Sequence, residues 1–417
     1  MSNCFNLRWQ RGTYRPLHVN SHVEGFFYAL ITNKGVSVMT KQRSRTTIHT
    51  LNGDSLTPIL IFRRLQGSHK FLLESSAKNE SSGRYSFIGC NPRKTYIGKE
   101  ELLQEYVTAT QKSYTHEGHL HVLLKRLMPR ISNVTDFPFS GGAVGYIRAK
   151  GPHALPQVNF NIYETIIVFD HLTDTVTLIH TNIDAEASTP NLVALADEIA
   201  HGTPQHFDDF TLHTENEQQG IFSGHPFSAY RHFRKTNGEA YMYYVEFQDH
   251  TCIGTAPESF IHVQTDQIRA HIISGSVEKS KHYQENAVLI NDLRKQQNIM
   301  QPHQEALTAR AEQLKHVSTP GSIDILKDTA ALHSRRNIHV HGVIEATLSP
   351  VLHPIDALTT CVPETNDTPL GNAALGYIGF NGQLDFTTTQ EAFLFTAQTV
   401  TTSASLTQLL PQQEVFV

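Results

Sequence analysis

Two β-branched runs, YETIIVFDH (163–171) and DTVTLIHTN (174–182), are separated by a short polar turn, which is the signature of a β-hairpin. Further strand-like runs recur on both sides of it. They include YMYYVEFQD (241–249), CIGTA, SFIHVQTD, IRAHIISGS, NIHVHGVIEATL (337–348), ALGYIGFNGQLDF and EAFLFTAQTVTTSAS. Helical periodicity falls between these clusters: ELLQEYVTATQK, LHVLLKRLMPRI, NLVALADEIAH (191–201), and stretches over 281–296 and 304–316. Strands and helices therefore come in groups and do not alternate one by one. That pattern predicts an α+β fold with large antiparallel sheets.

Composition narrows the functional classes. The 417 residues carry 34 basic and 39 acidic side chains, a net charge of −5, with the basic residues scattered along the chain. A nucleic-acid partner needs a clustered basic face, so none is expected. Cys4, Cys90, Cys252 and Cys361 are too sparse for a disulfide framework and lack metal-ligand spacing, which points to a reducing, cytoplasmic setting. No run of eighteen apolar residues exists for a membrane helix.

Residues 1–38 mix Trp, Arg and His with a short apolar run, and Met39 opens a stretch that reads like a fresh N-terminus. They are expected to be an N-terminal arm or a non-native leader. Residues 39–201 then form a first half. The polar stretch 202–226 is the linker candidate. Residues 227–417 form a second half, and the two halves are expected to interleave.

Nine segments, in order, carry a resemblance to a known family. They are LTPILIFRRLQG, FLLESS, GRYSFIGCNP, SGGAVGYI (140–147), HPFSAYRHFRKTNGEAYM, IGTAPESF, ISGS (273–276), STPGSIDI (318–325) and GYIGFNGQLD (376–385). Together they resemble component I of anthranilate synthase, within the chorismate-utilising enzyme family. The resemblance implies a sandwich of two large antiparallel sheets with helices outside and an active-site cleft between the sheets. It implies chorismate as substrate, Mg²⁺ as cofactor, L-tryptophan as feedback inhibitor and a glutamine amidotransferase subunit as ammonia source.

Residue by residue, the resemblance places an effector pocket at Glu74, Ser75, Tyr241 and Met242. A buried carboxylate is costly without a partner, and the ammonium group of an amino acid would supply one to Glu74. A structural pairing of Glu74 with a neighbour such as Arg84 is the alternative. Glu258 matches the family's general acid, and a Pro-Glu surface turn is its plain alternative. His339 matches the active-site histidine; beside His341 on one strand face, it also reads as an ordinary strand residue. Gly275, Ser276 and Tyr377 match substrate-binding positions, and Glu414 matches one metal-binding glutamate.

The departures are as informative. The family's first metal motif, Glu-x-x-Glu-His, is here Ile299-Met300-Gln301-Pro302-His303, and Pro302 is expected to break the helix. Val417 stands at the position of another metal glutamate. Thr402-Ser403-Ala404 replaces a Gly-Ala-Gly turn, and Glu391 replaces a substrate arginine. Mg²⁺ prefers a near-octahedral set of oxygen donors, so each missing carboxylate weakens its hold. The expectation is a family member whose catalysis is weak or lost, or a non-catalytic homologue that binds tryptophan or a glutaminase subunit.

Overall fold

The structure is a computed structural model that describes residues 28–32, 35–39, 46–75, 83–131, 135–150, 155–184, 190–237, 239–334, 336–362, 370 and 373–410. Its framework is two antiparallel sheets, each with eleven strands among the described residues. The first sheet runs, in spatial order, from Asp324–His333 through Asn337–Thr347, Gln267–Glu278, Ile261–Gln264, Leu384–Thr388 and Ala374–Gly379. It continues through Gly142–Ile147, Val158–Tyr163 and Lys94–Lys99 to Leu102–Val107 and Lys112–Glu117. The second sheet has Glu391–Thr396, His250–Ala256, Tyr241–Glu246 and Phe71–Ser75 side by side near its middle. A separate two-stranded ribbon pairs Tyr28–Thr32 with Gly35–Met39.

Three cores explain the layering. Between the sheets lie Phe71, Phe87, Phe139, Tyr163, Tyr243 and Tyr377, all buried. On the outer face of the first sheet, Leu123, Leu307 and Leu358 bring in the helices Leu120–Leu127, Gln297–Lys315 and Pro354–Cys361. On the outer face of the second, Phe62, Ile199 and Tyr230 bring in Pro58–Arg64, Leu192–His201 and Pro226–Asn237. Each strand presents alternate residues to the two sides, so one strand feeds both an inter-sheet and a helix-side core. The expected sandwich with helices outside is what the chain adopts.

Local sequence accounts for the element ends. Asn191 caps the helix 192–201, its Oδ1 accepting from the N–H groups of Val193 and Ala194 at 3.1 and 3.2 Å. Thr57 caps the helix 58–64, with Pro58 in its first turn.

Three local expectations need correcting. ELLQEYVTATQK is not helical: Leu102–Val107 is a strand, with Leu103 and Glu105 buried and their neighbours more exposed. That period of two outweighs the helix-forming residue types. Pro302 does not end its helix, which runs from Gln297 to Lys315 and so begins before residue 304. The break falls at Gln296, between two consecutive helices, and Pro302 lies inside the second, where its missing N–H removes one backbone bond. The stretch 202–226 carries an edge hairpin, Thr211–Thr214 with Gln219–Ser223, hydrogen-bonded onto Thr399–Thr402. Each sheet takes strands from before residue 202 and from after residue 226.

Candidate functional site

A cavity of about 350 Å³ opens between the sheets. The second sheet contributes Leu73, Glu74, Tyr241 and Met242 to its lining; the first contributes His262, Tyr377 and Asp385. Strand register builds it. Met242 lies opposite Glu74 and Tyr241 opposite Ser75, while Tyr377 lies opposite Asp385 and Asp385 opposite His262. The four effector-pocket positions are thus adjacent on two neighbouring strands, and Tyr377 faces the same space.

Alternation divides those four positions between the two faces of the sheet. Tyr243 belongs to the inter-sheet core, and Met242 and Tyr244 to the core under the helix 226–237. Glu74 shares the helix side with Leu72 and is 5% exposed. Its carboxylate accepts from Tyr230 Oη at 2.6 Å and from Arg234 Nε and Nη2 at 2.6 and 2.9 Å. Arg84, the partner considered from sequence, instead forks onto Asp170 at 2.7–3.1 Å. The protein itself supplies the cation that Glu74 needs.

Glu258 follows the strand His250–Ala256 and is gathered with Tyr241 and Asp385. Burial raises the pKa of Glu258, a backbone hydrogen bond from Ser259 opposes the shift, and the charge of Asp385 adds to it. Tyr241 Oη approaches Asp385 Oδ2 at 3.4 Å. Burial pushes Asp385 up to about 7. Its Oδ1 is buried with no hydrogen-bond partner among the described residues. Asp385 escaped selection from sequence although it ends the quoted segment GYIGFNGQLD. The hairpin register that sets it opposite Tyr377 was the available signal.

His339 occupies a second group. Its Nδ1 lies 3.0 Å from the carbonyl of Gly275 and its Nε2 3.3 Å from Ser334 Oγ. A carbonyl only accepts, so the proton sits on Nδ1, while the Ser334 hydroxyl donates to the carbonyl of Asn337 at 3.1 Å. Burial holds the His339 pKa below its usual value. Gly275 sits in a bulge between Ser274 and Val277 with φ of +61°, and Ser276 beside it is exposed. The charge of Glu239 acts on His339 and on Glu391, whose pKa is raised by burial and then by Glu239. Thr255 ties the two groups to one end of the strand 250–256. Its Oγ1 accepts from Glu239 N–H at 3.2 Å, and it pairs with Glu391.

Among the described residues no side-chain set fits a Mg²⁺ ion, and no three His, Cys, Asp or Glu side chains converge as a metal site. In the helix 297–315, His303 is fully buried, and its Nδ1 is 2.9 Å from Ser274 Oγ while its Nε2 meets the carbonyl of Asp328. Glu305 accepts from Gln301 at 3.0 Å on an exposed surface. Glu414 lies outside the described residues. The turn 402–404 spends its side chains on the backbone at the start of the strand 391–396: Thr402 Oγ1 donates to Ala392 O at 2.6 Å and Ser403 Oγ to Gln390 O at 2.7 Å. Among the described residues no helix is long and apolar enough to cross a membrane.

Residues 216–365 match the family model of the chorismate binding enzymes. The chain is 23% identical to anthranilate synthase component 1 of Lactococcus lactis, over 81% of this chain and 89% of that protein. It is 25% identical to the component 1 of Bacillus subtilis, over 81% and 82%. The crystal structure of anthranilate synthase component I from Streptococcus pneumoniae superposes with a TM-score of 0.59 at 20% identity, covering 86% of this chain and 95% of that one. Escherichia coli MenF, the menaquinone-specific isochorismate synthase, shares the fold at a TM-score of 0.59 and 12% identity, over 85% and 87%. The order of motifs, the sandwich and these likenesses agree: the chain is similar over most of its length to anthranilate synthase component 1, and its residues 216–365 match the chorismate binding enzymes.

Proposed function

We propose that this protein keeps the scaffold and the ligand cleft of an anthranilate synthase component 1 in tryptophan biosynthesis, and that Mg²⁺-dependent conversion of chorismate to anthranilate and pyruvate is weak or lost. One observation supports the reading: Glu391, at the position the family resemblance gives to a substrate arginine, lies within the field of Glu239, and no converging donor set is present among the described residues. Like charges repel a dicarboxylate, and losing one preorganised electrostatic group alone costs on the order of 10²–10³ in rate. Glu258 and His339 remain as candidates for general acid and for assisting pyruvate loss. The raised pKa of Glu258 and the neutral state of His339 agree with those roles. Gly275 and Ser276 stand as the substrate loop, and Tyr377 as a wall of the cleft.

Anthranilate fluorescence with chorismate, Mg²⁺ and ammonium tests this directly. Signal at or near background is expected; turnover at the level of the Bacillus subtilis relative overturns the reading.

A second reading has its own support. The cavity between the sheets combines Tyr241, Tyr377 and the buried Asp385, an arrangement suited to the ring and ammonium of an aromatic amino acid. A cytoplasmic binding protein for L-tryptophan, docking a glutaminase subunit, would use the same scaffold without turnover. Titration calorimetry with L-tryptophan decides it, and flat heats with no rise in melting temperature remove it.

A further inference from the structure

A pair of histidines on the cleft face of the first sheet has no role in the preceding account. His271 Nδ1 and His341 Nε2 are 2.9 Å apart, and their rings stack at 5.2 Å with 13° between planes. Their orientation follows from register. Ile268, Ala270, Ile272 and Ile344 enter the helix-side core, so Arg269, His271, His341 and Val343 turn the other way. His262, which lines the inter-sheet cavity, pairs with Arg269 and shares that face. Lys327 pairs with Val343 on the edge strand 324–333 and is exposed. Its charge acts on both imidazoles.

We propose that His271, His341 and Lys327 form the anchor for a carboxylate group of the ligand in the cleft, in place of a metal ion. The inference rests on the chorismate-family reading and names the groups that make binding possible without a cation cofactor.

Proton counting supplies the donor. Burial first, then His341 and Arg269, lower His271 to about 3, and burial first, then Lys327, lowers His341 to about 4, so both rings are neutral at pH 7. Two neutral imidazoles hold two N–H groups. One lies in the bond between them, so whichever tautomers pair, the second is carried by an outward-facing nitrogen. That N–H and the Lys327 ammonium give a carboxylate one directed hydrogen bond and one charge contact. Arg269 is committed to Glu345, and His303 to Ser274 and Asp328. Neither is needed for the anchor.

Titration calorimetry of the full chain with chorismate, without added metal, is the test. The double variant His271→Phe with His341→Phe keeps two flat rings and removes the donor, and a rise in Kd of about tenfold or more is expected. Lys327→Gln, at an exposed position, is expected to raise Kd about twofold to fivefold and to flatten its dependence on salt. Lys327→Gln alone carries the test if the double variant unfolds. Wild-type binding with unchanged Kd in the folded variants overturns the anchor and leaves the family reading standing. Failure of the wild type to bind chorismate overturns the anchor and, with it, the proposal that the cleft still takes chorismate.

Discussion

Arg234 and Glu74 form a two-pronged ion pair, Nε to Oε2 at 2.6 Å and Nη2 to Oε1 at 2.9 Å, between the helix 226–237 and the strand 71–75. Tyr230, one helical turn earlier, completes the set at 2.6 Å. The carboxylate is almost wholly buried, whereas the guanidinium is 44% exposed at its side chain. Removing the arginine therefore strands a buried charge, while removing the glutamate releases a cation into water. Arg234→Ala is expected to destabilise by about 2–4 kcal/mol and Glu74→Gln by clearly less, because a neutral amide still bonds Tyr230. Denaturant midpoints at constant slope check this; equal losses for the two variants refute it.

The pH dependence of stability reports on Asp385. Its pKa is raised by burial from the usual 3.8 to about 7 in the folded chain. The folded state thus holds a proton that the unfolded state has already lost. Its stabilising contribution is complete below pH 4 and is lost as pH rises to about 7. The wild type is expected to lose part of its stability between pH 4 and pH 7, and Asp385→Asn is expected to be less sensitive over that interval. A melting-temperature profile for both proteins measures it. An Asp385→Asn profile parallel to the wild type means that other groups carry the slope.

Much of this arrangement was legible in the chain because strand period and motif order are local properties. The runs at 163–182, 241–249 and 337–348 announced their strands, and the order of nine segments announced the sandwich. Glu74 illustrates the limit. Its burial followed from Leu-Leu-Glu-Ser, but its partner depended on which helix the outer face meets, so Arg234 was not distinguishable from Arg84. ELLQEYVTATQK failed for a related reason: good helix formers become a strand when sheet pairing buries every second residue. Asp385 and the pair His271–His341 are created by register between strands distant in sequence. No single window contains them.

Backbone geometry at Gly275 yields another test. With φ of +61°, a β-carbon there would lie 2.7 Å from Ile299 Cγ2. Gly275→Ala adds the left-handed penalty of a non-glycine residue, about 1–2 kcal/mol, to that contact. It also shifts the carbonyl that orients His339. The melting temperature is expected to fall, and the His339 Nδ1 proton resonance to move or broaden. An unchanged resonance with a lowered melting temperature would separate the strain from the orientation of the histidine.

Pro302 costs the helix 297–315 one backbone bond at an exposed position. Pro302→Ala restores the N–H and is expected to stabilise the protein by about 1–3 kcal/mol. Thermal melts of the two proteins suffice. A decrease in melting temperature would show that Pro302 is required for packing His303 against Ser274.

Glu391 is the substitution whose reversal tells most about ligand binding. It begins the strand 391–396, next to Thr255 in register and within the field of Glu239. Glu391 is exposed, and a dicarboxylate docking beside it would meet its charge together with that of Glu239. Glu391→Arg exchanges one repulsion for an attraction to both Glu239 and the ligand. Chorismate affinity is expected to rise by about tenfold or more, whereas Glu391→Gln, which only removes charge, should give a smaller gain in the same direction. Because neither change supplies metal donors, anthranilate formation is expected to stay near background in both. Unchanged affinity in both variants would place Glu391 outside the ligand's field, and turnover appearing in Glu391→Arg would show that this one charge, not the missing donors, had silenced the cleft.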